Sequence, residues 1–167
     1  IYTEGAMSNT GTNLANRNAL STGDRTVAMS VRWDALPAGF SYLFSAHGTT
    51  GTTGRLYMGA DASGNNWLFR AGGSTDSGDI VSQTFTANTD YVIAITLSGS
   101  TVTAYVDGTQ VGTGTFSNSS INRTTIFGYW DGATPQLQAD AKIARIAIWA
   151  RALSGAEITT VTDIFNN

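Results

Sequence analysis

The sequence predicts an all-β fold: an antiparallel two-sheet sandwich of short strands, closed by a short C-terminal helix. Three observations carry this expectation. Threonine, valine, isoleucine and aromatic residues recur in short clusters, and these residues fit a pleated, half-buried surface. Nineteen glycines, with abundant serine and asparagine, separate the clusters and supply turns. Several clusters alternate apolar and polar residues with the period of two that marks a strand with one buried face. At 167 residues the chain has the size of one domain, and a chain of that length buries about two thirds of its unfolded surface without cross-links.

Taken in order, Val27, Met29, Val31 and Trp33 alternate with Ala28, Ser30 and Arg32, which predicts a strand over residues 26–33. Leu36-Pro37-Ala38-Gly39 ends it. Residues 40–46 and 55–60 read as the next two strands, flanking a glycine- and threonine-rich loop at 48–54. The turn Asp61-Ala62-Ser63-Gly64-Asn65-Asn66 leads into a strand at 67–70, and residues 72–79 form a further glycine-rich loop. A two-residue turn at Gly99-Ser100 sets Leu97 opposite Val102, Ile95 opposite Ala104 and Ile93 opposite Val106. A slip of one residue would place these side chains against threonines and tyrosine, so the pattern selects its own register. A type I′ turn at Asp107-Gly108 then pairs Ala104 with Val111. Ile143, Ile146, Ile148 and Trp149 mark a last strand, partly buried on both sides. Ser154-Gly155-Ala156-Glu157 has the spacing of a capping box, and Leu153 with Ile158 matches the hydrophobic staple that accompanies it. No internal repeat or linker interrupts the chain, so residues 1–167 read as one domain.

The charged fraction is 13 %, the one lysine is Lys142 and the net charge is −3. No basic stripe exists to neutralise phosphates, so nucleic acid is not an expected partner. The longest purely apolar run, residues 146–150, is far short of the roughly 20 residues that cross a bilayer, so no membrane insertion is expected. The absence of cysteine excludes disulfides and thiolate metal sites. Beginning at Ile1 without an export signal, the chain reads as a processed chain or a fragment. Its polar, lysine-poor composition suits secreted bacterial modules and virion proteins, and the expected location is extracellular or on a virion surface.

Two stretches carry a family resemblance. Residues 91–112, with Tyr105-Val106-Asp107-Gly108 at a turn, resemble the central hairpin of laminin G-like, concanavalin A-like lectin jelly-roll domains. Residues 142–158, ending Arg151-Ala152-Leu153-Ser154 and Glu157-Ile158, resemble that family's closing strand and helix. The resemblance implies two curved antiparallel sheets packed face to face. One departure stands out: the family often carries acidic residues after the isoleucine of the closing strand, where this chain has Ala144 and Arg145. The fold hosts lectins, adhesion modules, glycanases and virion proteins alike, so the site must be argued separately.

For catalysis, a retaining glycanase needs two carboxylates about 5 Å apart, which on one strand face means acids at i and i+2 or i+4. No two acids lie within two residues, and the nearest pair, Asp76 and Asp79, falls in a glycine-rich loop. His47, the single histidine, rules out a multi-histidine metal site; it is a candidate ligand contact, read as a loop residue beside Gly48. Asp61, Ser63 and Asn65 alternate oxygens within a turn, and Ser74, Asp76 and Asp79 offer a second oxygen cluster; Asp61, Ser63, Asn65, Asp76 and Asp79 are the candidate calcium ligands. The same pattern also serves ordinary turns. Tyr129-Trp130-Asp131 is the candidate sugar site, because aromatic faces stack on sugar rings while a carboxylate accepts hydroxyl hydrogen bonds. The alternative places Trp130 over the core with Asp131-Gly132 turning the chain.

The function expected is therefore non-catalytic recognition of cell-surface or polymeric carbohydrate, with no cofactor unless calcium binds. The runner-up is a structural decoration or adhesion protein that contacts other chains of a surface assembly. A glycan-active enzyme is the minor alternative.

Overall fold

A computed structural model of the chain describes residues 3–4, 12–13, 23–47, 55–72, 78–80, 83–116, 123–130, 135–136 and 139–167. Its strands run β1 (Thr3–Glu4), β2 (Thr12–Asn13), β3 (Arg25–Trp33), β4 (Ser41–His47), β5 (Arg55–Ala60), β6 (Trp67–Gly72) and β7 (Gly78–Ile80). They continue as β8 (Asp90–Ser98), β9 (Thr101–Val106), β10 (Thr109–Thr115), β11 (Arg123–Ile126), β12 (Tyr129–Trp130), β13 (Pro135–Gln136) and β14 (Ala141–Trp149), and helix α1 spans Gly155–Asn166. Sheet A has the order β1-β14-β3-β8-β9-β10, and sheet B the order β2-β11-β4-β5-β6-β7. Each consists of five antiparallel strands plus a two-residue strand at one edge, while β12 and β13 form a separate ribbon. No helix among the described residues is long and apolar enough to cross a membrane.

Alternation explains the sandwich. Val27, Met29, Val31 and Trp33 of β3 share one buried cluster with Ile93, Ile95 and Leu97 of β8 and Val102, Ala104 and Val106 of β9. From the facing sheet, Leu56, Met58 and Ala60 of β5 and Trp67, Phe69 and Ala71 of β6 join the same cluster. Fully burying one such large apolar side chain stabilises by about 1.5–3 kcal/mol, so the central core dominates the fold's energetics. Trp33 and Trp67 lie inside it, 1 % and 0 % exposed, and both rings pack on Phe85 with centroids 5.7 and 4.5 Å away.

The expected central register holds: Ile93 pairs with Val106, Ile95 with Ala104 and Leu97 with Val102. Asp107 (φ 48°) and Gly108 (φ 76°) adopt the two positive φ angles of a type I′ turn. The expected Ala104–Val111 pair does not form. A bulge between Gln110 and Gly112 inserts one residue, so Gly112 stands opposite Ala104. A second bulge between Ile143 and Arg145 shifts the phase of β14. That shift lets Ile143 and Ile146 both enter the core although they are three residues apart.

Helix α1 covers the outer face of sheet A. Leu153, Ile158, Val161 and Phe165 pack on Ala28, Val92, Ala94 and Tyr105 in a second cluster. Ser154 is the N-cap and its capping box with Glu157 is complete. The Thr26 hydroxyl donates to the Arg151 carbonyl at 3.0 Å and accepts from the Leu153 amide at 2.8 Å, which fastens the strand-to-helix connection to β3.

Candidate functional site

With one face of sheet B committed to the core and one face of sheet A covered by α1, the outer face of sheet B is the face whose composition needs explaining: its Tyr42, Ser45, Tyr57, Leu68 and Thr125 are at most 4 % exposed, while the Arg70 and Asp79 side chains reach solvent. On β5 the inward Leu56, Met58 and Ala60 leave Arg55 and Tyr57 facing outward, and on β6 Leu68 and Arg70 do the same. On β4 a register shift between Tyr42 and Phe44 lets Leu43 and Phe44 both reach the core. Tyr42 before the shift and Ser45 after it lie on the outer side. Antiparallel register then aligns Thr125, Ser45, Tyr57, Arg70 and Asp79 in one row across β11, β4, β5, β6 and β7.

The row has an aromatic side and a polar side. The rings of Tyr42 and Tyr57 stack with centroids 4.7 Å apart, and with Leu68 they form a buried cluster against which half-buried Phe40 packs. The Arg70 guanidinium lies 5.5 Å from the Phe40 ring centre. It grips Asp79 bidentately, Nε donating to Oδ1 and Nη2 to Oδ2 at 3.0 Å. This hydrogen bonding to Asp79 holds the Arg70 pKa above its usual value, against the opposing effect of partial burial. On the polar side, Ser45 and Thr125 are 0 % and 2 % exposed, and their hydroxyls have no hydrogen-bond partner. The buried Nε of half-buried Arg55 has none either, and Arg55 enters no ion pair among the described residues.

The sequence-derived candidates fall in three places. His47, expected in a loop, is the last residue of β4 and 0 % exposed. The apolar alternation of β4 extends one residue further than the glycine after it suggests, and Arg123 takes the register position opposite His47. Tyr129 and Trp130 lie on β12, pairing with Gln136 and Pro135. The two strands form a short ribbon. It leaves sheet B at Phe127, which is 0 % exposed with φ 59° and whose amide bonds the Leu43 carbonyl at 2.8 Å. Positive φ on a bulky non-glycine residue is a strained conformation that packing must hold, and it redirects the chain beside the Tyr42 end of β4. Asp131 and Asp76 lie outside the described residues.

The calcium candidates are engaged with protein partners. The Asp61 carboxylate accepts from the Ser63 amide (3.1 Å) and hydroxyl (2.6 Å), the Gly64 amide (3.1 Å) and the Asn66 side chain (2.9 Å). The Ser63 hydroxyl also lies 2.7 Å from the Asn65 side-chain oxygen. Desolvation pushes the Asp61 carboxyl up, but the hydrogen bonds from Ser63 and Asn66 together outweigh it and leave the carboxyl below its ordinary value. These contacts close a turn around Asp61. Asp79 belongs to the Arg70 pair, and among the described residues no three acids or histidines gather as a metal cluster.

Sequence reasoning did not bring Arg55, Tyr57, Arg70, Ser45 and Thr125 together on one face of a sheet. A signal was present: the outward positions of residues 41–47 and 55–60 are Tyr, Ser, His and Arg rather than the ordinary solvated mix of Lys and Glu.

Several solved structures share the fold at low identity. The CBM40 module of the Ruminococcus gnavus IT-sialidase, bound to alpha2,3 sialyllactose, is 12 % identical with a TM-score of 0.74, covering 97 % of this chain and 98 % of that one. A Trypanosoma rangeli sialidase is 21 % identical with a TM-score of 0.68, covering 86 % of this chain and 23 % of its own. A mutant sialidase of Streptococcus pneumoniae is 17 % identical with a TM-score of 0.73, covering 96 % and 27 %. This chain thus spans about a quarter of either whole sialidase and matches the binding module end to end. Among curated proteins, none matches. A laminin G family model matches residues 6–159, and the chain belongs to the family that model describes, the concanavalin A-like lectin/glucanases superfamily.

Proposed function

We propose that this domain is a non-catalytic carbohydrate-recognition module and that the outer face of sheet B is its binding surface. The observation that carries the reading is the end of the row that reaches solvent, where the Arg70 guanidinium, paired with Asp79, lies over the half-buried Phe40 ring, which packs against the buried Tyr42–Tyr57 stack. A sugar ring offers flat C–H faces and a rim of hydroxyls, so it needs apolar aromatic surface beside fixed donors and acceptors. The Phe40, Arg70 and Asp79 end of this face offers both. The end-to-end likeness to a module bound to a sialylated sugar supports a carbohydrate-binding role.

Hydrolysis needs two carboxyl groups, about 5 to 9.5 Å apart, on either side of the scissile bond. The acid in the row, Asp79, is held by Arg70, and no second acid shares the row. The module therefore binds without turning its ligand over, as an extracellular part of a secreted bacterial protein or at a virion surface. The structural-decoration alternative draws on one observation: edge strand β10 carries no charge across seven residues, which leaves its backbone open to pairing with another chain. A glycan array, run with calcium and with chelator, separates the two readings. Binding of a defined glycan set supports recognition, whereas no glycan binding together with concentration-dependent self-association supports assembly.

A further inference from the structure

Building on the glycan reading for the class of ligand, we infer a second binding site on the other sheet: a cavity on the outer face of sheet A that takes a vicinal diol of a neutral sugar between Arg32, Lys142 and Asp90. Helix α1 covers this face as far as Val92, which packs against it, and Arg145, which donates to the Ile164 carbonyl. Both stand opposite Ser30 in register. The next outward row, Lys142, Arg32 and Asp90 across β14, β3 and β8, lies past the end of that cover. A cavity of about 350 Å³ opens there, and its lining includes these three residues with Ser30 and Ala144. That volume falls in the range of small-molecule sites, about 300–1,000 Å³. The bulge of β14 sets the exposed Ala144 at the wall, where a methyl group leaves the space open.

The charged groups of this cavity are within reach of a ligand. The Arg32 and Lys142 side chains are 38 % and 59 % exposed, and Asp90 is exposed as well. Arg32 and Lys142 are cross-strand neighbours, and like charges so placed repel. Asp34 offsets the repulsion but serves Lys142 first, with Nζ 2.8 Å from one of its oxygens and 3.1 Å from the other. Arg32 is left with loose contacts. Its Nε lies 3.6 Å from Asp34 and its Nη2 3.4 Å from the Asn88 side-chain oxygen, against about 2.7–2.9 Å for a strong charge-assisted bond. Asp90, the partner of Arg32 on its other side, enters no ion pair among the described residues. The row therefore holds donors and an acceptor that the fold itself under-uses. Two cations and two carboxylates, Asp34 included, sum to zero charge, so an anion gains no net attraction here. A neutral diol satisfies both kinds of group: the Asp90 oxygens accept from adjacent hydroxyls, whose own oxygens accept from Arg32 and Lys142. Hydrogen bonds to charged partners are about twice as strong as neutral ones, which lets such a site hold a sugar without an aromatic stack.

The test is an amide chemical-shift titration of the intact domain with methyl β-galactoside, methyl β-glucoside and methyl α-mannoside, and with deoxy forms that interrupt each diol; sodium sulfate is a separate arm. Saturable shifts at residues 30–32, 90–92 and 142–145 are expected with at least one of the sugars, and its deoxy form is expected to bind about tenfold more weakly. Asp90→Asn is expected to weaken the same binding about tenfold while leaving the melting temperature unchanged, because that carboxylate enters no ion pair. Shifts confined to residues 40, 70 and 79 overturn this inference and leave the glycan reading standing, as does a positive glycan array with no shift from any of these sugars. Equal binding of the diol and deoxy forms, unchanged affinity in Asp90→Asn, or a response to sulfate alone also overturns it. Absence of both shifts and array binding overturns both readings.

Discussion

Trp67 shows how much one residue decides in this molecule. It is 0 % exposed, packs its ring 4.5 Å from Phe85 and meets Tyr91 edge-on at 5.4 Å. Replacing it with alanine leaves a cavity that neighbours on two sheets cannot fill, so Trp67→Ala is expected to lose about 3–5 kcal/mol in a chemical-denaturation curve. Gly64 is equally constrained for a different reason. Its φ is +76°, and a Cβ there would sit 1.8 Å from the Pro37 carbonyl oxygen. Gly64→Ala is therefore expected to lower the melting midpoint clearly, because the nearest atom is backbone and cannot swing aside. The neighbouring Asp61 carboxylate already accepts four hydrogen bonds, so adding calcium or a chelator is expected to leave that midpoint unchanged. A midpoint that rises with calcium would put an ion in the turn.

At the scale of elements, the C-terminal helix gives the cleanest pH signature. Glu157 receives two bonds from the Arg151 guanidinium, at 3.0 and 2.6 Å, and one from the Ser154 amide at 2.8 Å. The Arg151 contacts first, and the Ser154 bonds second, lower its pKa from 4.5 to about 2. A depressed carboxyl pKa stabilises the fold above the unfolded value and loses that contribution as pH falls through the folded one. The stability gap between the native chain and Glu157→Gln is thus expected to be constant above about pH 4.5 and to close toward pH 2. Ser154→Ala removes the cap and is expected to cost about 1 kcal/mol in thermal melts at neutral pH. In the hairpin, Gly108→Val is expected to cost more. The turn requires its φ of 76°, and an added Cβ would meet the Thr159 backbone at 3.4 Å.

For the whole molecule, the informative variant is Trp130→Ala, measured for binding and stability together. If the β12–β13 ribbon contributes an aromatic contact to the ligand, glycan binding is expected to vanish while the melting temperature stays within a degree or two. If Trp130 instead caps the core, stability is expected to fall by about 3–5 kcal/mol. Catalysis is checked at this scale as well. No release of reducing ends or unsaturated products from β-glucans or alginate is expected, and turnover that disappears on mutating one acid would defeat the non-catalytic reading.

Local pattern was enough to read the strands at 26–33, 55–60 and 91–106, the Gly99-Ser100 register, the buried tryptophans and the capped helix. Each rests on side-chain period, turn chemistry or capping between residues near one another in the chain. The candidate site is different in kind. Thr125 meets Ser45, and Tyr57 meets Arg70, only because strands distant in sequence pair in one register. A bulge at Tyr42/Phe44 decides which side chains of β4 turn outward, and a positive φ at Phe127 decides where the aromatic ribbon leaves the sheet. His47 followed the same logic, since a glycine after it reads as a loop until a neighbouring strand supplies its pairing. The sequence by itself determined which residues are able to form a sandwich and where it turns. The tertiary structure alone decided which polar groups share a face, because that depends on long-range register, and register is set by the burial of the whole core rather than by any one segment.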